Sequence, residues 1–166
     1  MADIARLVGI SNSGLLHHYP SKVALLMAVL ERRDRIDHGA VSELRYGQHL
    51  SGLFQTLCAL NRANAGMLEV VRAFTLLSVE SLAEGHPAGD WFRGRYYEIR
   101  DRLVEMMTPL VAAGEIRSDV DLVGVVQEIL AMMDGLQWQW IRFPGELALI
   151  TRFELYMNRL EADLRP

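Results

Sequence analysis

Between Ser11 and Lys22 the sequence places hydroxyls, an amide, two imidazoles and an ammonium, at Ser11, Asn12, Ser13, His17, His18 and Lys22. Groups of this kind donate and accept hydrogen bonds and meet anions. At this spacing they do not assemble a bond-making constellation. Neighbours on a helix point about 100° apart, so His17 and His18 cannot share a metal, which needs i, i+4 spacing. No carboxylate or thiol stands at helical spacing to complete a ligand set, so neither metal nor cofactor is expected. The chain also has no Gly-rich phosphate loop, nucleophile elbow, HExxH or paired CxxC motif. Its carboxylates lie singly on patterned helix faces, and His86 beside Pro87 reads as a loop residue. Enzyme chemistry is not expected.

Those groups must be held by helices, because apolar residues recur at helical spacing nearly everywhere and strand alternation is almost absent. A short helix over Ala2–Val8 is followed by Gly9, where a sharp turn suits a residue without Cβ. Ser11 can cap a second short helix running to about Tyr19, which Pro20 ends. The second helix then presents Asn12, Ser13, Gly14, Leu16, His17 and His18 outward, while Ile4, Val8, Ile10 and Leu15 can form a small shared core. Ser21 can cap a long helix from Lys22 to about Arg45, with Leu25, Leu26, Val29, Leu30 and Ile36 as its apolar stripe, and Gly47 marks a break. Five more helices are expected over about Ser51–Asn64, Met67–Glu84, Ala88–Ala113, Asp119–Arg142 and Glu146–Asp163. The fold class is therefore all-α: a small N-terminal head joined by one long helix to a helical body.

Composition agrees with a folded helical protein: of 166 residues 51% are apolar and 23% charged. No run approaches the 18 apolar residues of a membrane-spanning helix, no secretory signal opens the chain, and the lone Cys58 cannot form an internal disulfide. A cytoplasmic protein without a membrane partner is expected. The net charge of −4 is unevenly spread: residues 1–49 carry six Lys/Arg and five Asp/Glu, residues 50–166 eleven and sixteen. A near-neutral head on an acidic body is compatible with a head that meets phosphates. Sixteen of the basic residues are Arg and Lys22 is the only Lys. The run Glu31–Asp37 reads as a solvated face with helically spaced ion pairs.

Three stretches, IARLVGIS (Ile4–Ser11), LLHHYPSK (Leu15–Lys22) and VALLMAVL (Val23–Leu30), resemble the tetracycline-repressor (TetR) family of bacterial transcriptional regulators. A looser likeness extends to AMMDGLQWQWIRFPGE (Ala131–Glu146). The resemblance implies a helix-turn-helix DNA-binding domain with its connecting helix over residues 1–45 and a ligand-binding and dimerisation domain over 46–166. It implies DNA contacts by Ser11, Asn12, Ser13, Gly14, Leu16, His17, His18 and Lys22, with Lys22 on a phosphate and Leu15 and Tyr19 docking the recognition helix. Leu16 stands where the family usually has a phosphate-reaching tyrosine, and Ser13 where glycine is frequent. The family's first helix has no counterpart ahead of Asp3, so Ile4, Leu7, Leu26 and Leu30 are expected to keep apolar surface exposed in a mobile head.

For the body, the aromatic and Met residues suit an adaptable apolar cavity, and the resemblance implies that some of them line an effector site. The candidates are Phe54, Phe74, Ser78, Trp91, Tyr96, Met106, Met133 and Gln137, with Thr75 and Arg100 as further orienting groups. The penultimate helix is apolar over most of its circumference, and the last carries Leu147, Ile150, Phe153, Met157, Leu160 and Leu164 at seam-like spacing. A symmetric dimer through Val123, Leu130, Ile141, Leu147, Ile150, Phe153, Met157 and Leu160 is expected from that pattern, the alternative being that both helices are core in a monomer. The whole then reads as a ligand-responsive repressor that binds a palindromic operator as a homodimer and is released by a small apolar molecule. The alternative is a helical small-molecule-binding or dimerisation module without DNA-binding activity.

Overall fold

The computed structural model describes residues 1–43 and 49–166; for Arg33 and residues 36–43 it describes the helical backbone. The break expected at Gly47, the end of the long helix near Arg45 and the side chain of Ile36 lie outside the described residues. All regular structure among the described residues is helical, and the chain forms two compact units, residues 1–43 and 44–166.

The first unit holds α1 (Ala2–Leu7), α2 (Asn12–His18) and α3 (Lys22–Glu43). Gly9 turns the chain between α1 and α2 at φ 72°, a left-handed conformation in which a Cβ would be strained. Tyr19 leaves the helical region ahead of Pro20, at φ −132° and ψ 93°, and so ends α2. Ala5, Leu15 and Leu30 are the buried apolar residues of this unit. Val8 and Ile10, expected in the small core, are instead exposed, because α1 stops at Leu7 and both residues fall in the turn. Leu7 is 87% exposed, as expected, whereas Leu30 is 2% exposed and Ile4 and Leu26 are half-buried. Val29 leaves the apolar stripe of α3 and faces outward.

The second unit holds α4 (Leu50–Ala65), α5 (Leu68–Glu80), α6 (Gly89–Ala112), α7 (Leu122–Arg142) and α8 (Leu149–Leu164). Its core is made where α4, α6, α7 and α8 face one another. Leu50, Leu53, Phe54 and Leu57 of α4 meet Leu149, Phe153, Met157, Leu160 and Leu164 of α8, both sets at helical spacing. Leu103, Met107 and Leu110 of α6 and Val126, Ile129 and Leu136 of α7 complete it.

Helix ends differ from the sequence expectation where side chains compete with the ladder. Asp121, not the residues before it, caps α7 by accepting from the Val123 N–H at 3.1 Å, so the helix starts at Leu122. The α5 helix ends at Glu80 rather than Glu84: Ser78 and Ser81 turn their hydroxyls onto the carbonyls of Thr75 and Ser78, at 2.8 and 2.6 Å. After α6, Gly114 takes φ 73° and lets the Glu115 N–H reach the Leu110 carbonyl at 2.9 Å. The loop that follows is tied on three sides. Ile116 is fully buried, Glu115 accepts from the Leu50 N–H at 2.8 Å, and the Arg117 N–H donates to the Leu164 carbonyl at 2.9 Å.

Candidate functional site

In the first unit the candidate groups stand on α2 and at the start of α3. Ser11 accepts from the Gly14 N–H at 3.0 Å and satisfies one of the four N–H groups that a helix start leaves unpaired. Gly14 makes room for that cap, since a Cβ there would lie 3.1 Å from the Ser11 hydroxyl oxygen. It is half-buried against the cap, whereas Asn12, Ser13, Leu16, His17 and His18 are exposed. The two imidazoles meet edge to face at 5.4 Å between ring centres. Ser21 caps α3 by accepting from the Ala24 N–H at 3.0 Å, and the exposed Lys22 is the first residue of that helix. Arg6 is paired with Asp3, but among the described residues no ion pair involves Lys22. A helix start and an uncommitted ammonium are thus presented beside α2, an arrangement that favours anions.

In the second unit α5, α6 and α7 bring together part of the expected ligand set. Phe74 of α5 meets Trp91 and Phe92 of α6 edge-on at 6.2 and 5.1 Å, and the Arg95 guanidinium lies 5.3 Å from the Phe74 ring centre and 5.9 Å from that of Trp91. Gln137 of α7 donates to the Thr75 hydroxyl at 2.8 Å across to α5. Ser78 lies one turn further on and gives its hydroxyl proton to the Thr75 carbonyl. Met106 and Met133 are half-buried against the core, and Tyr96 lies exposed beside Tyr97. Phe54 is core rather than lining, packed with α8. Arg100 is not a free orienting group: it stacks 4.8 Å over Tyr97 and pairs with Asp101 at 2.6 Å.

Two groups of the second unit had no distinctive sequence signal. Asn61 of α4 is 3% exposed and its Oδ1 has no hydrogen-bond partner among the described residues. Asp134 of α7 has its carboxyl pushed up by desolvation, which the Arg95 charge partly offsets. Arg95 could have been noticed one helical turn after Trp91; Asn61 sits in an apolar helix with nothing to mark it.

On the other side of α7 an open groove of about 500 Å³ is lined by Glu128, Ala131, Met132, Gly135, Leu136 and Gln139, with Tyr156 of α8. The Tyr156 hydroxyl is buried there without a hydrogen-bond partner among the described residues, and burial together with the Glu128 charge raises its pKa. Of the residues expected at a dimer interface, Val123 is exposed, and Leu130, Ile141, Leu147 and Ile150 are half-buried. Phe153, Met157 and Leu160 are spent on the chain's own core against α4 and are not available to a second copy. Spacing measures the width of an apolar face, not what covers it.

No protein-family model matches the sequence, and no curated protein matches it. Among solved structures, a protein from Rhodococcus sp. assigned to the TetR family of transcriptional regulators superimposes with a TM-score of 0.78 at 18% identity, covering 99% of this chain and 86% of that one. The chain has the TetR-family fold. A gamma-butyrolactone receptor, an ArpA-like protein, also matches, with a TM-score of 0.63 at 19% identity over 98% of this chain and 86% of that one.

Proposed function

We propose that this protein is a ligand-responsive transcriptional regulator, a cytoplasmic repressor that binds a palindromic operator as a homodimer and is released by a small apolar molecule. The observation that carries the reading is the capped α2 with an exposed polar face, set beside the uncommitted Lys22 at the start of α3. Asn12, Ser13, His17 and His18, with the Leu16 side chain among them, would meet the major groove, and Lys22 a phosphate. Ser11 and Gly14 act one step back, by building the helix start. Residues 1–45 then serve as the DNA-binding domain and connecting helix, and residues 46–166 as the effector and dimerisation domain. Two heads that read successive major grooves stand ~34–36 Å apart, one helical turn of DNA.

The effector site is proposed at the junction of α5, α6 and α7, where Phe74, Trp91, Ser78 and Gln137 converge, with Met106, Met133 and Tyr96 at its margins. A structural neighbour is by name a receptor for a gamma-butyrolactone, which supports a small, largely apolar effector with few polar groups.

The test is a titration of labelled DNA from upstream of the coding sequence at several salt concentrations. A form extended by one helix at the N-terminus is titrated alongside. Binding is expected to prefer one sequence and to weaken with salt. Lys22→Ala should lower affinity for all sequences alike and reduce the salt slope by about one unit. If neither form shows salt-dependent, sequence-preferring binding, the DNA reading fails and a helical effector-binding module remains.

A further inference from the structure

The outward face of α7 is self-complementary in charge. Glu128, Ala131, Gly135, Gln139 and Arg142 recur at steps of three and four, so they form one stripe along the helix. Most of it lines the open groove, and at its centre Gly135 has no side chain; a Cβ there would meet nothing within 4 Å. Glu128 stands seven residues before Gly135 and Arg142 seven after, each two helical turns away. Both are exposed, and among the described residues neither has an ion-pair partner. Arg142 is already held at the surface, its guanidinium 5.2 Å from the ring centre of Trp138.

Resting on the homodimer proposed above, we infer that α7 crosses the α7 of a second copy with Gly135 at the two-fold axis. Glu128 then meets the partner's Arg142, and this pair selects the copy with which the chain assembles. In an isologous contact of antiparallel helices, a residue n positions before the axis lies level with the residue n positions after it. Seven residues at 1.5 Å rise put each charge ~10 Å from the axis. At a crossing angle of ~20° the helices have diverged sideways by only ~4 Å there, within reach of Glu and Arg side chains. The two-fold makes the pair twice. Centring the crossing one turn earlier, on Ala131, would bring Glu128 level with the partner's Asp134 and leave Arg142 level with the partner's Val120. A glycine at the axis also permits the closest approach of two helices. An unrelated partner gives no reason for opposite charges placed symmetrically about a glycine, whereas a second copy does.

Charge reversal tests the register apart from the dimer itself. Glu128→Arg and Arg142→Glu each replace two attractive contacts by two repulsive ones, and each should weaken self-association about tenfold or more, read by sedimentation velocity. Mixed in equal amounts, the two variants restore both attractive contacts and should form a heterodimer, resolved by native mass spectrometry. The double variant Glu128→Arg/Arg142→Glu should self-associate like the wild type, which also shows that the substituted side chains leave the fold intact. Should both single variants dimerise as tightly as the wild type and mix at random, or should the mixture stay monomeric, the register is wrong while the dimer stands. A wild-type chain that remains monomeric at micromolar concentration overturns the dimer and this pairing with it.

Discussion

A carboxylate that accepts a backbone N–H at a helix start holds it best when ionised. Glu115 does this for α4, accepting from Leu50 while its other oxygen meets His49, and the hydrogen bonds hold its pKa below the ordinary 4.5. A lowered folded-state pKa means a stability contribution present above the unfolded value and lost as pH falls through the folded one. Glu115→Gln is therefore expected to lower Tm at neutral pH and to make the decline on the acid side shallower, measured by thermal melts from pH 7 to pH 3. Residue-level roles of this kind are the least legible in a sequence. Spacing identified Ser11 and Ser21 as caps, because a cap and its helix are neighbours in the chain. Glu115 caps a helix 65 residues away. No local pattern reveals who claims a donor.

At the scale of elements, periodicity carried most of the fold. The apolar spacing of α4 and α8 showed that each has one face to bury, and the helix order follows from Gly, Pro and Ser punctuation. The partner of each face did not follow. Met157 and Phe153, at a spacing that equally suits a seam between copies, are covered by α4 of the same chain. Met157→Ala should thus cost about 2–5 kcal/mol of unfolding free energy, as buried Met truncations do, while leaving dimer dissociation unchanged. Urea melts beside sedimentation would separate the two quantities. On α7 the outward face was hidden in the sequence by its small and polar residues, Ala131, Gly135 and Gln139, which do not register as an apolar stripe.

For the whole molecule, the proposed regulation requires that effector and operator prefer different arrangements of the proposed dimer. A ligand shifts such an equilibrium only by its differential affinity for the two states. A coupling of about 1–3 kcal/mol is typical, so a saturating effector should weaken operator binding roughly 5- to 150-fold, and saturating operator should weaken effector binding by the same factor. Titrating each ligand with and without the other measures both sides of that reciprocity. Equal affinities in all four titrations would separate the effector site from DNA control.

The loop between α6 and α7 has a consequence for how the second unit comes apart. A helix at either end of a compact unit ordinarily frays. Here three consecutive residues after α6, Glu115–Arg117, plug the core with Ile116, hold the first amide of α4 and take up the last carbonyl of α8. Neither end of this unit can peel away without withdrawing the same plug, so its two extremities, far apart in sequence, belong to a single cooperative block that is lost all at once.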